Sequence, residues 1–146
     1  MKISSNKIQS PVKCTQRACK LCNILYTNKS WTSNNGHTFA TARATCNSNF
    51  IIYIAVDKST NVALYIGQTC QNLNTRWGQH RNDKSWAREG TQHKNFWVIP
   101  LPGSSKAIHR VEKEQSLIQL LKPVHNKQTN FFWWDAKSHL SHHATE

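Results

Sequence analysis

The sequence predicts an α+β fold, and three observations carry that expectation. Short runs rich in β-branched and aromatic residues recur at Phe50–Val56, Val62–Gly67 and Phe96–Ile99, as strands do. Stretches at Asn72–Asn82 and Lys106–Leu121 have the spacing and boundary residues of helices. Ahead of them, residues 1–48 hold four of the five cysteines but few large aliphatics, so this segment cannot bury a core of its own.

Each element has a local reason. Phe50-Ile51-Ile52-Tyr53-Ile54-Ala55-Val56 reads as a buried strand, and Asp57-Lys58-Ser59-Thr60-Asn61 is turn chemistry. Val62–Gly67 closes a hairpin, and symmetric closure sets Tyr53 opposite Tyr65, on one face with Ile51, Ala55 and Ala63. A helix follows over Asn72–Asn82, with a second helical stretch around Lys84–Arg88. Phe96–Ile99 is a third strand, stopped by Pro100 and Pro102. Ser104 or Ser105 can cap the last helix, which Pro123 ends.

Charge narrows the partner. The 146 residues carry 19 basic and 7 acidic side chains, a formal +12, which favours nucleic acid over a membrane surface. Residues 1–48 have no acidic residue and a net +7, leaving +5 for the remainder. The longest apolar run has seven residues, so neither a membrane span nor a secretory leader is expected. An odd number of cysteines without an export signal points to an intracellular, reducing compartment and to metal binding rather than disulfides.

Three constellations could carry chemistry. Tyr53 and Tyr65 on one sheet face are either a stabilising aromatic pair or part of a site. Arg76 and His80 lie one helical turn apart, on the side that Leu73 and Trp77 turn toward the core. The last helix is the most informative. At ~100° per residue, Ala107, Val111, Ile118 and Leu121 fall within about 60° of Glu114, with Leu117 at the edge, while Glu112 lies about 160° away on the wet face. A carboxylate in an apolar stripe is costly unless paired or bound to metal. Its partner is then a cation such as Arg76, or a metal ion.

These parts together resemble the GIY-YIG nuclease family. Ile51-Ile52-Tyr53 followed by Tyr65-Ile66-Gly67 looks like the signature, with Ile51 where the first glycine usually stands. Gly67-Gln68-Thr69, Leu73, Arg76 and His80 resemble the family's catalytic arginine helix. Glu114-Gln115-Ser116-Leu117-Ile118 through Lys122-Pro123, then Asn126, resembles its metal-binding glutamate helix and the asparagine beyond. The likeness spans roughly residues 50–127. It implies a small three-stranded antiparallel sheet flanked by helices, one Mg²⁺ or Mn²⁺ on Glu114, and hydrolysis of DNA, with the duplex as the expected substrate. It makes Tyr53 the first choice of base, with Tyr65 or His80 positioning the water or relaying the proton. Arg76 suits a phosphate because its guanidinium is a planar fork.

Cys14, Cys19 and Cys22 form C-x4-C-x2-C, and Cys46 follows. Four thiolates suit structural zinc, which would stabilise this core-poor segment, and His37 is a possible substitute ligand. A similar cysteine-rich lead occurs in retroelement-type relatives of the family. Cys70 reads as a separate loop thiol. The expected organisation is a basic zinc module over 1–48, a nuclease domain over 49–127 and a tail over 128–146. In the tail, Phe131, Phe132, Trp133 and Trp134 either stack on bases or pack back on the domain, and His139, His142 and His143 form a solvated end. The resulting expectation is a metal-dependent DNA endonuclease with no small-molecule cofactor and no membrane partner. Two other readings compete with it: a non-catalytic zinc-dependent nucleic-acid-binding module on a degenerate nuclease fold, and a structural RNA-binding protein.

Overall fold

The computed structural model describes residues 10–16 and 19–126. The expectations for the aromatic and histidine-rich tail fall on residues outside that set. A short 3-10 turn, Cys22–Ile24, is followed by strands β1 (Ser30–Thr32) and β2 (Thr38–Ala40), which pair with each other. Strands β3 (Ile51–Asp57) and β4 (Ala63–Thr69), helices α1 (Leu73–Asp83) and α2 (Ser85–His93), strand β5 (Phe96–Pro102) and helix α3 (Ala107–Leu121) complete the order.

The main sheet is antiparallel, in the order β4-β3-β5. Its central strand is buried on both faces, which is why its sequence is apolar without alternation. Ile51, Tyr53, Ala55 and Val98 pack with Leu73 and Trp77 of α1, Ala87 of α2, and Leu21, Ile24 and Leu25 of the leading segment. Ile52, Ile54, Val56, Ile66, Ile99 and Leu101 pack on the other face with Leu117 and Ile118 of α3 and with Trp31 of β1. The leading segment therefore completes both cores. It also covers the outer edge of β5, where Tyr26 N donates to Val98 O (2.9 Å) and Ala42 N to Pro100 O (2.8 Å).

The hairpin register differs from symmetric closure. Tyr53 pairs with Gly67 and Tyr65 with Ala55, and a bulge follows before Val56 meets Ala63. The cause is the loop. Asp57 Oδ1 accepts from Ser59 N (2.9 Å) and Thr60 N (3.1 Å), Asn61 is left-handed at φ 63°, and the loop closes on Asp57 N–Val62 O (3.0 Å). Tyr53 and Tyr65 keep a common face. Ala63 moves to the opposite core, and Leu64 packs on the tyrosine side instead.

The prolines do not stop β5. Val98 and Pro100 direct their polar backbone groups outward, away from β3, so a missing N–H at Pro100 costs no ladder bond. Helix α2 runs five residues beyond Arg88, because Ala87, Gly90 and Thr91 form a buried face and Lys94 caps it at φ 55°. A Cβ at Gly90 would collide with the Phe96 ring. Neither Ser104 nor Ser105 caps α3 from the N-cap position, which is Lys106. Ser104 Oγ accepts from Lys106 N instead (3.0 Å).

Leu25 is wholly buried in the core shared by the leading segment and the sheet. Leu25→Ala is expected to cost ~2–5 kcal/mol. Denaturant unfolding should show one cooperative transition for leading segment and sheet together. Two separate transitions would show that the shared core does not couple them.

Candidate active site and cysteine cluster

Four elements bring ionisable side chains within electrostatic reach of Tyr53, three from its own side of the sheet and Glu114 from α3, which packs on the other side. Strand β3 supplies Tyr53, β4 supplies Tyr65, α1 supplies Arg76 and His80, and α3 supplies Glu114. Asn72 caps α1 by accepting from Asn74 N (2.9 Å) and Thr75 N (3.2 Å), which fixes where the helix starts and which turn carries Arg76 and His80. Both side chains then project from the face that buries Leu73 and Trp77.

The centre of the site is a short hydrogen bond, 2.6 Å, between Tyr53 Oη and His80 Nε2. Both residues are buried. Burial, with the charges of Arg76 and Lys84, pushes His80 down to about 3, so its ring is neutral near pH 7. Burial holds the Tyr53 phenol well above its ordinary value. Tyr65 and Glu114 push it the same way, and Arg76 opposes them. Tyr65 is half-buried, its ring 5.0 Å from His80 and 6.3 Å from Tyr53 between centroids. Glycine is required at position 67, because a Cβ there would overlap the Tyr53 hydroxyl. Ile51 needs no such freedom: it is an ordinary strand residue paired with Thr69 and Pro102.

Glu114 is half-buried and Glu112 exposed, in line with the helix phase. The buried part of that stripe is Arg110, Leu117 and Ile118, whereas Ala107 lies exposed at the helix start. Arg110 was missed in the sequence, although it falls about 40° from Glu114 on the same wheel. Its Nε donates to Gln68 Oε1 (2.7 Å) and its Nη1 to Ser104 O (2.9 Å), tying α3 to β4 one turn before Glu114. Asn126 is committed to the backbone. Its Oδ1 accepts from Ile66 N (2.7 Å) and its Nδ2 donates to Ile66 O (2.9 Å), so it holds the free edge of β4. The same contact brings His125 onto Trp86, stacked at 4.4 Å, a pair that no local pattern signals.

Near the start of α1, the sulfurs of Cys14, Cys19, Cys22 and Cys46 lie within 4.8 Å of one another. Tetrahedral zinc at ordinary Zn–S lengths needs sulfurs about 3.8 Å apart. The Cys19–Cys46 separation is 3.9 Å. The four soft donors are therefore compatible with zinc. Burial pushes the Cys22 and Cys46 thiols up, whereas a backbone contact to Gln16 lowers Cys14. His37 lies exposed beyond β1, outside the four, and Cys70 is a separate exposed thiol. The cluster is wired to the site, because Asn74 N donates to Cys46 O (2.7 Å) and Leu73 N to Ser48 O (3.0 Å) in the first turn of α1.

Two outcomes follow. Unfolded histidine takes up a proton below pH 6.5 and folded His80 only near 3, so stability should fall as pH drops through that window. The slope attributable to this one group reaches ~1.4 kcal/mol per pH unit. Denaturation of wild type and His80→Gln at pH 6.5 and 5 checks it: the variant should lose the slope, and parallel curves would refute the assignment. For the cysteines, protein purified without added metal is expected to carry one zinc ion per chain and to lose thermal stability on chelation. Less than ~0.2 zinc per chain by elemental analysis, in folded protein, would exclude a structural zinc.

Residues 49–129 match the GIY-YIG catalytic domain. No curated protein and no solved structure matches the chain. No helix among the described residues is long and apolar enough to cross a membrane. The matched residues hold the whole three-stranded sheet, the three α-helices among the described residues, and Tyr53, Tyr65, Arg76, His80 and Glu114, and on that ground the chain belongs to the GIY-YIG nuclease family.

Proposed function

We propose that the protein is a divalent-metal-dependent endonuclease that hydrolyses phosphodiester bonds in DNA, with the duplex as substrate. The observation that carries this reading is the convergence of Tyr53, Tyr65, Arg76, His80 and Glu114 from four elements around one buried hydrogen bond. A purely binding module would need the hydrogen bond only to hold α1 to the sheet and would gain nothing from a half-buried carboxylate whose charge is felt at Tyr53.

Each group has a task suited to its chemistry. Arg76 carries a planar guanidinium that suits a phosphate and stays charged at any working pH, and its Nη1 donates to Gln79 Oε1 (3.0 Å). Tyr65 is the phenol that solvent can reach, so it meets the attacking water. Tyr53 and His80 form the buried pair behind it, keeping a proton between Oη and Nε2 and fixing the tyrosine face. Glu114 is a hard oxygen donor, the type that suits Mg²⁺ or Mn²⁺. A cation held there would supply charge neutralisation for the phosphate. Arg110 and Asn126 act at one remove, holding α3 and β4 in register with the site. The cysteine cluster holds zinc as a structural ion, and the +12 charge supplies sequence-tolerant attraction to the DNA backbone.

Glu114→Gln and Glu112→Gln test the reading as a matched pair on one helix. Glu114→Gln should reduce metal-dependent cleavage of plasmid DNA at least ~100-fold, the scale of a lost electrostatic contribution to a transition state. Its DNA affinity should persist, and Glu112→Gln should match wild type in both respects. Full activity in Glu114→Gln, or none in wild type with Mg²⁺ or Mn²⁺, would reject the assignment.

A further inference from the structure

A second basic site lies beside the converging residues. A cleft of roughly 500 Å³ opens between the cysteine turn and helix α2, lined by Lys20, Asn23, Arg81, Arg88, Gln92 and Lys94 together with Thr91. Four of these are cations, and no acidic side chain is among the described residues lining it. Three separate pieces of chain build it. Lys20 and Asn23 flank Leu21 and Cys22 in the tight turn of the cysteine cluster, Arg81 lies in the last turn of α1, and Arg88, Gln92 and Lys94 come from α2 and its cap.

Such a convergence of like charge is unfavourable by itself and is relieved by an anion. The local bonding does not relieve it. Arg88 Nη1 donates to Arg81 O (3.1 Å), which fixes the α1–α2 corner without neutralising any charge. Arg81 Nε is buried and has no hydrogen-bond partner among the described residues. Asn23 and Gln92 add neutral amide donors on opposite walls, a mixture that suits phosphate oxygens.

We propose that this cleft is a phosphate-backbone site that grips the DNA strand outside the scissile position, with one wall supplied by the cysteine turn. The inference rests on the DNA reading above and adds to it where the duplex is held. Arg81 follows His80 directly on α1, and Lys84 at the α1–α2 junction is close enough to His80 for its charge to be felt there. Basic groups thus continue from the converging residues into the cleft. The leading segment then has a second task besides closing the core, because Lys20 completes a site that residues 49–129 alone would leave open.

The test removes charge from both walls without disturbing a hydrogen bond that holds the fold. Lys20 is exposed, and Lys94 is a left-handed helix cap that glycine suits. The double variant Lys20→Gln/Lys94→Gly is compared with Lys29→Gln/Lys122→Gly, which removes the same charge elsewhere and includes a matching left-handed cap. Affinity for a short blunt DNA duplex is measured from about 50 to 200 mM salt. The cleft variant should lose about two units of log–log salt slope and about tenfold or more in affinity. The control should lose less than half as much. Equal losses in the two variants would mean net charge alone is felt, and no loss in the cleft variant would mean no contact. Either result overturns the proposal, as would a wild type with no duplex affinity. If wild type binds but does not cut, and the cleft variant still loses its slope, the nuclease reading falls while the phosphate site stands.

Discussion

The hydrogen bond between Tyr53 Oη and His80 Nε2 sets what its neighbours must be. It joins the central strand to the first helix in a place without solvent, so both partners have to be neutral and matched in donor and acceptor. The neutral ring is secured by burial and by the cations Arg76 and Lys84. Glycine at position 67 follows, because the Tyr53 hydroxyl occupies the space where a β-carbon would stand. The helix start at Asn72 follows too, since a shift of one residue would turn His80 about 100° away from the phenol. The same contact holds α1 to the sheet and fixes where Arg76 and Tyr65 stand around it.

That contact depends in turn on the leading segment. Leu21, Ile24 and Leu25 fill the core beneath α1, and carbonyl oxygens of Cys46 and Ser48 receive the first amides of the same helix. The cysteine cluster therefore lies in the path that fixes the angle of α1. A metal ion joining its four sulfurs would stiffen the turn that presents Lys20 and the strand connection that positions Arg76 and His80. An aliphatic-poor, basic segment can serve a nuclease fold in this way because it lends a few buried side chains to a core already begun elsewhere.

Much of this was legible along the chain. The strands, the hairpin loop and the two longer helices follow from period and turn chemistry that are local. Glu114 stands out from Glu112 through helix phase alone, and the four cysteines stand out through their spacing. The resemblance to a nuclease family rests on residues within short windows, which is why it could be seen before any fold was known. Misreadings occurred where a local rule met a longer-range constraint. Symmetric hairpin closure fails because Asp57 and Asn61 build a loop that forces a bulge, which moves Ala63 across the sheet. Pro100 and Pro102 continue a strand because only their outward edges lack a donor, and edge status is a property of the sheet, not of the tripeptide.

The sequence by itself determined the elements, the charge, the cysteine set and the acidic residue worth testing, since each is encoded in neighbours a few positions apart. Only the tertiary structure decided what those residues do to one another. Asn126 binds the backbone of Ile66 sixty residues away, Arg110 reaches Gln68, and the leading segment becomes part of the core. The basic cleft joins Lys20 to Lys94 across a gap in sequence that no periodicity spans. Burial and pairing are set by the sum of distant packing, so a buried neutral histidine and an exposed one look alike until the chain has closed around them.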